Sequence, residues 1–153
     1  MKKKLALVTG GLSGEAQISY KSAITVGNNL DRDLFDVYKI DVNPEGWWYE
    51  NVKGEKSKVN RDDFSITDEG QAIHFDVVLL CIHGTPGEDG KLQGYFDMLR
   101  LPYTSCDAAT SALTFNKRYT VAVAAFAGIK VARSLHLFKD RSMAPASIAA
   151  QLQ

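Results

Sequence analysis

Short apolar runs punctuate the chain and predict buried β-strands. Each run is bounded by glycine, proline or a cluster of polar residues, as is typical of strands inside a sheet. Four stretches have this pattern: 5–8, 35–42, 77–82 and 101–104. The run at 77–82 is the most apolar of them, and the turn Asn43–Gly46 follows the second run.

Between these runs, apolar residues recur three or four positions apart and predict α-helices. Three stretches have this spacing: 16–30, 92–99 and 107–127. Ser13 is expected to cap the first helix. The last is expected to break near Thr114 and to end at Gly128. Residues 129–137 are expected to be extended, and a further helix is expected from Ala146.

Strands that alternate with helices predict an α/β fold, a three-layer open parallel sheet with helices on both faces. The exception is the segment 47–70, where aromatic, lysine and turn residues mix without a clear period. We interpret it as an irregular excursion that can include a hairpin. In sheets of this kind, ligands bind beyond the carboxyl ends of the strands. The loops that follow Val8 and Ile82 both lie at that edge.

Length, charge and cysteine content narrow the class of protein. The chain has 153 residues, 45% of them hydrophobic, and its 18 basic residues balance 18 acidic ones. A real core is therefore expected, and a basic surface for nucleic acid is not. No window approaches the roughly 18 consecutive apolar residues of a membrane span, and the run at 5–8 is too short for a secretory signal. Cys81 and Cys106 form no disulfide framework, so the expected location is the cytoplasm.

The loop after the first strand, Thr9–Ser19, reads TGGLSGEAQIS. Glycines between a strand and a helix leave backbone N–H groups available to a ligand at the helix N-terminus. Glu15 falls in the first helical turn, where the helix dipole favours a carboxylate on structural grounds alone. The pattern is close to a dinucleotide-binding fingerprint, but Thr9 takes the place of its first glycine. A ligand-binding loop and a plain tight turn are both consistent with these residues.

The loop after the most apolar strand, His83–Gly90, reads HGTPGEDG. A carboxylate that accepts an imidazole N–H fixes the tautomer and orientation of the ring, and Glu88 is expected to reach back to His83 in this way. The alternatives are a histidine that only packs and carboxylates that only cap the next helix. At the ligand edge of the sheet, such a pair is a reasonable hypothesis for a binding site, although a lone histidine usually only packs. Lys117, in SALTFNK, is a weaker candidate, because a lysine on a helix surface is usually just solvated.

Together these stretches resemble the N-terminal part of D-alanine–D-alanine ligases, the ATP-grasp enzymes of bacterial cell-wall synthesis. GGLSGEAQISYKSA is similar to the family's glycine pair, serine and glutamate before a helix, and HGTPGEDGKLQG fits its His-Gly-x-x-Gly-Glu-Asp-Gly signature. LPYTSCDAATSALTFNK continues in the family's order, with Asn116 where many members have aspartate. The resemblance covers essentially the whole chain. It implies a Rossmann-like domain at residues 1–106 and the beginning of an ATP-grasp domain at 107–153.

The resemblance also implies a reaction and a set of roles. In the family, ATP phosphorylates the carboxylate of one D-alanine, and the amine of a second D-alanine attacks the acyl phosphate. Glu15 resembles the carboxylate that holds the ammonium group of the first D-alanine. His83 resembles the imidazole beside that amino acid, with Glu88 as its partner. Ile18 and Ser19 are expected to border the same pocket.

Other expectations concern the nucleotide and the rest of the protein. Lys117 resembles a lysine near the nucleotide, and the family implies ATP with Mg²⁺ or Mn²⁺ and a homodimer. No metal ligands are expected in this chain. The phosphate loop, the metal carboxylates and the residues that select D-alanine, D-lactate or D-serine as second substrate are expected beyond Gln153. A helix pattern without a stop signal there indicates a truncated chain, which is expected to be inactive alone.

Two other interpretations stay open at this point. One is a non-catalytic α/β module that binds or senses a ligand with the same loops. The other is a dinucleotide-dependent oxidoreductase, against which the missing first glycine argues.

Overall fold

The computed structural model describes residues 1–140 and 143–152, which divide into a compact unit Met1–Phe115 and a second unit that begins at Asn116. The strands are β1 (Lys3–Gly10), β2 (Phe35–Asn43), β3 (Gly46–Glu50), β4 (Lys56–Lys58), β5 (Ile66–Asp68), β6 (Gln71–Ile73), β7 (Val77–Leu80) and β8 (Tyr103–Thr104). The helices are α1 (Ala16–Asn29), α2 (Lys91–Leu99), α3 (Ala108–Phe115), α4 (Lys117–Phe126) and α5 (Pro145–Leu152). In the part of the chain so described, no helix is long and apolar enough to cross a bilayer.

Six strands form one sheet in the order β4-β3-β2-β1-β7-β8. β1 pairs in parallel with β2 on one side and with β7 on the other, and β7 pairs in parallel with β8. β3 and β4 continue the sheet beyond β2 as antiparallel strands, and β5 and β6 form a separate hairpin. The predicted α/β class with a mostly parallel sheet is confirmed. The interpretation of 47–70 as irregular is wrong in part, since β3 extends into this segment and β4 and β5 lie within it. The hairpin that it was expected to include is present as β3 and β4.

β1 lies at the centre of the sheet and is buried on both faces. Successive side chains of a strand point to opposite faces, so Leu5 and Leu7 pack with Ala23 beneath α1, whereas Ala6 and Val8 belong to the core on the other side. That second core also holds α2 and the segment between β4 and β5. The two faces give the three layers that the alternation of strands and helices predicts.

The core on the α2 side is aromatic. Phe64 is fully buried, and its ring centroid lies 4.9 Å from that of Phe96 on α2 and 5.9 Å from that of Trp47 on β3. Edge-to-face and tilted pairs at these separations add to the burial of apolar area. Phe64 therefore connects the antiparallel extension of the sheet to α2, the helix that follows the His83 loop.

Two helix ends differ from the sequence-based expectation. Ser13 does not cap α1: Glu15 is the N-cap residue, and the Ser13 hydroxyl accepts the Glu15 N–H at 3.2 Å inside the preceding turn. The predicted break near Thr114 falls at Asn116. The side chain of Asn116 accepts hydrogen bonds from the backbone N–H groups of Arg118 and Tyr119, which starts a new helix.

The second unit, from Asn116 onward, contains α4 and α5. Its helix α4 is followed by Gly128, which has a φ of +80° and suits a C-terminal stop. Residues 129–138 form neither helix nor strand, and α5 matches the helix expected from Ala146. The predicted end of the first domain at residue 106 stays a prediction, and Gln153, where the chain was expected to be truncated, lies outside the described residues.

Truncating Phe96 tests the aromatic core. Phe96→Ala is expected to lower the free energy of unfolding by about 3–5 kcal/mol, because it removes a fully buried ring and leaves a cavity. Met98, on the same helix, is 78% exposed. Met98→Ala is therefore expected to change the free energy of unfolding by about 0.5 kcal/mol or less. Denaturant unfolding of both variants is the measurement, and equal losses would contradict the assigned core.

Candidate functional site

Two loops meet at the carboxyl edge of the sheet. β1 and β7 are parallel neighbours, so the loop after each emerges on the same side. The Leu12 N–H donates to the carbonyl of Thr85 at 2.9 Å, which joins the two loops directly. Both sequence motifs therefore contribute to one place, as the parallel topology predicts.

One face of α1 holds the second loop. Glu15, Ser19 and Ser22 are spaced four and three residues apart, so they lie on one side of the helix N-terminus. The Ser19 hydroxyl accepts the backbone N–H of His83 at 2.9 Å, and the Ser22 hydroxyl lies 2.9 Å from Nε2 of the His83 ring. The backbone and the ring of His83 are thus both attached to α1.

Glu15 lies over the residue that follows His83. A Cβ placed on Gly84 would come within 2.7 Å of Glu15 Oε2 and of Ser13 Oγ. Only the missing side chain at Gly84, whose φ of +74° also favours glycine, lets the carboxylate approach the loop. Glu15 is exposed, and within residues 1–140 and 143–152 its carboxylate has no hydrogen-bond or ion-pair partner. The carboxylate is therefore available to a ligand.

The structure assigns Ser19 and Ile18 different positions. Ser19 is fully buried, and its hydroxyl accepts the backbone N–H of His83. Ile18 is 50% exposed beside it. The expectation that both residues border a substrate pocket stays a prediction.

The predicted hydrogen bond from Glu88 to the His83 ring is wrong. Glu88 Oε2 accepts the backbone N–H of Gly84 at 2.7 Å, and the ring pairs with Ser22. The reason is a tight turn: the N–H groups of Gly87 and Glu88 both donate to the Gly84 carbonyl at 2.9 Å. This turn brings the Glu88 side chain back to the Gly84 N–H. Glu88 therefore holds the loop backbone.

Two further residues brace the loop from α2. Gln93 is fully buried, and its amide nitrogen donates to the Gly87 carbonyl at 2.6 Å and to Ser105 Oγ at 3.1 Å. Lys91 donates to Asp89 and, at 3.1 Å, to Thr85 Oγ1. Sequence analysis did not identify Gln93, although a polar residue between Leu92 and Phe96 on the buried face of a helix indicates a structural role. Sequence analysis did not identify Ser22 either, although it follows Glu15 by seven residues and so lies on the same face of the helix.

Asp89 has a perturbed acidity. Burial works to raise the pKa of its carboxyl group, but hydrogen bonds from Lys91 and Thr85 outweigh that effect, so the pKa lies below the ordinary value of 3.8. The charged form is thereby stabilised in the folded protein, and the hydrogen bonds of Asp89 help to hold the loop in place.

Lys117 and metal binding complete the predicted roles. Lys117 is the first residue of α4 in the second unit and is exposed. Its place near a nucleotide stays a prediction. Over the described ranges, no three His, Cys, Asp or Glu side chains are grouped so that they could hold a metal ion.

Comparison with known proteins decides the family. A family model described as the D-ala D-ala ligase N-terminus matches residues 4–106, which include both loops. The chain belongs to the D-alanine–D-alanine ligase family. Among its relatives, the D-alanine–D-alanine ligase of Parabacteroides distasonis is 42% identical over 152 residues, 99% of this chain and 46% of that protein. The chain thus spans about half the length of the curated relatives it matches.

Solved structures of the ligase family have the same fold. D-alanyl-alanine synthetase A from Vibrio cholerae is similar with a TM-score of 0.81 and 28% identity, over 97% of this chain and 44% of that one. The ligase from Coxiella burnetii is similar with a TM-score of 0.84 and 25% identity, over 97% and 48% of the two chains. Membership of the ligase family overturns the dinucleotide-dependent oxidoreductase interpretation.

Adding a methyl group at Gly84 tests the contact with Glu15 in this ligase-family chain. Gly84 and Gly54 both have positive φ, but a Cβ on Gly54 meets nothing within 4 Å. Each alanine variant is expected to lose about 1–2 kcal/mol of stability from backbone strain. Gly84→Ala alone should also displace Glu15 and Ser13. Two-dimensional NMR spectra check this: shifts of the Glu15 and Ser13 amides that are equal in both variants would contradict the contact.

The acidity of Asp89 makes a prediction about pH. Because its folded pKa is depressed, Asp89 stabilises the fold above the unfolded pKa, and this contribution is lost as the pH falls through the folded value. Asp89→Asn should therefore lower the thermal midpoint at neutral pH, and the difference from the unaltered protein should shrink below pH 3.8. Asp62→Asn, at an exposed carboxylate that accepts no hydrogen bond from any described residue, is the control. If the thermal midpoints of Asp89→Asn and the unaltered protein differ by the same amount at every pH, the ionised Asp89 does not stabilise the loop as predicted.

Proposed function

We propose that this chain forms the substrate side of a D-alanine–D-alanine ligase, which joins two D-alanines with ATP through an acyl phosphate in peptidoglycan precursor synthesis. One observation carries the proposal. The Glu15 carboxylate is exposed, has no partner among the described residues, and lies against Gly84 beside His83 at the ligand edge of the sheet. Membership of the ligase family supports the same assignment.

The chemistry of the site suits a zwitterionic amino acid. The ammonium group of the first D-alanine would donate to Glu15, in a charge-assisted hydrogen bond worth about 1.5–3 kcal/mol. The carboxylate of the same molecule would lie toward His83. Gly84 allows the amino acid to approach the loop backbone, and Glu88 and Gln93 hold that backbone in place. These residues orient the first substrate for phosphorylation, and orientation contributes strongly to reactions between bound groups.

The remaining roles are proposals from the family. ATP would be held partly by Lys117, and Mg²⁺ or Mn²⁺ by residues outside those described here. The second substrate would be D-alanine, and the full protein would be a cytoplasmic homodimer. We expect the 153-residue chain alone to release no phosphate from ATP and to make no dipeptide, because phosphoryl transfer needs charge neutralisation by a metal. ATP-dependent phosphate release by the purified chain would overturn this expectation.

Titration with D-alanine, followed by NMR, tests the substrate site in the chain itself. D-alanine is expected to shift the amides of Glu15, His83 and Gly84, whereas D-lactate, which lacks the ammonium group, should leave Glu15 unshifted. Glu15→Gln should weaken the response to D-alanine about ten- to a hundredfold, the equivalent of the charge-assisted hydrogen bond. The control is Glu45→Gln, at an exposed glutamate of the β2–β3 turn.

The two variants separate binding from folding. If Glu15 only supports the helix, Glu15→Gln should cost a few tenths of a kcal/mol in stability and leave the D-alanine shifts as they are in the unaltered chain. That result would overturn the proposed role. In a chain continued to the length of its relatives, the same substitution is expected to lower kcat/KM by a similar ten- to hundredfold factor.

A further inference from the structure

The Ser22 hydroxyl has one described partner, the His83 ring. Its Oγ lies 2.9 Å from Nε2, and no other hydrogen bond involves it within the described part of the chain. Helical serine and threonine hydroxyls usually donate to a carbonyl one turn back. Thr25, one turn further along α1, does so, with its hydroxyl 3.3 Å from the Lys21 carbonyl. Ser22 instead directs its hydroxyl away from the helix and toward the loop.

This contact determines which ring nitrogen is available. The backbone N–H of His83 is bound by Ser19, and Nε2 is bound by Ser22. Both the backbone and the ring of His83 are therefore attached to α1. Nδ1 has no hydrogen-bond partner among the described residues, so it is the nitrogen left for a ligand. In a neutral imidazole one nitrogen donates and the other accepts, so the direction of the Ser22 hydrogen bond decides what Nδ1 offers.

The charge of the substrate decides that direction. This step rests on the proposed function: an amino acid whose ammonium group binds Glu15 also carries a carboxylate. If Ser22 accepted a hydrogen from Nε2, Nδ1 would present a lone pair to that anion and repel it. If Ser22 donates to Nε2, Nδ1 carries the hydrogen and can donate to the carboxylate.

We propose that Ser22 is a positioning residue that donates its hydroxyl hydrogen to Nε2 of His83 and holds the ring in the Nδ1–H tautomer for the substrate carboxylate. Ser22 itself does not touch the substrate in this arrangement. It selects one of two tautomers and one ring orientation, as hydrogen-bond partners of histidine do elsewhere.

The tautomer is measurable in the 153-residue chain without any ligand. The ¹⁵N chemical shifts of the His83 ring, at a pH where the ring is neutral, distinguish Nδ1–H from Nε2–H. The Nδ1–H form is expected in the unaltered chain, a mixture of tautomers in Ser22→Ala, and the Nδ1–H form again in Ser22→Thr, which keeps a hydroxyl. Thr25→Ala removes a hydroxyl from the same helix and should leave the ring unchanged.

Several outcomes overturn the proposal. If the His83 ring carries Nε2–H in the unaltered chain, the proposal is overturned, even if Ser22→Ala fails to fold. If Ser22→Ala folds and its His83 ring keeps the same tautomer, the proposal is also overturned. For binding, Ser22→Ala should weaken the response of His83 to D-alanine roughly two- to tenfold, the value of one hydrogen bond, and an undiminished response would overturn the positioning role.

Failure of the proposed function gives a different result. If D-alanine shifts neither Glu15 nor His83 in the unaltered chain, the substrate assignment fails. The Nδ1–H tautomer and its dependence on Ser22 would then still support the hydrogen bond proposed here, because they are measured without D-alanine.

Discussion

The site depends on the central position of β1. This strand is buried on both faces and pairs in parallel with β2 and with β7, in a register that places Val8 opposite Leu80. Strands in register and in the same direction end at the same edge, so the loops that follow β1 and β7 must meet. A shift of one residue in either pairing would exchange the two faces of the strand. It would also separate Glu15 from His83.

Given that sheet, α1 determines the geometry of the site at the level of single atoms. Its buried side packs on β1 through Ala23, while its first two turns present a carboxylate and two hydroxyls to the neighbouring loop. The loop needs this support because its own glycines impose little restriction on the backbone. Ser19 and Glu88, which accept backbone N–H groups of the loop, and Gln93, which donates to one of its carbonyls, supply this rigidity. Sites held by such supporting contacts keep their groups in reach of a ligand before it binds.

Much of this arrangement follows from the sequence. Short apolar runs and glycine-rich loops are local signals, and they predict the parallel strands and the two motifs correctly. The antiparallel strands were expected at most as a hairpin without defined bounds, because Trp47, Trp48 and Tyr49 are all aromatic, which hides the alternation of faces. In the structure Tyr49 is buried, whereas Lys58 lies over the opposite-facing Trp48 ring at 5.3 Å. Only the register with neighbouring strands distinguishes these side chains.

The partners of individual site residues were harder to predict than the site. Glu88 was expected to bind the His83 ring, but the turn closed by the Gly84 carbonyl directs it to a backbone N–H instead. Such a turn depends on the φ angle of one glycine, which spacing does not reveal. Ser22 was missed because a serine in a helix carries no signal by itself. Its partner lies 61 positions away along the chain.

The two edges of the sheet bear on how copies of this chain can associate. An edge strand leaves backbone N–H and C=O groups unpaired, and these can recruit strands from other molecules. β4, at one edge, is three residues long and carries Lys56 and Lys58, and β8, at the other, has only two residues. Short and charged edges oppose the addition of a further strand. The sheet is therefore not expected to continue from one molecule into the next.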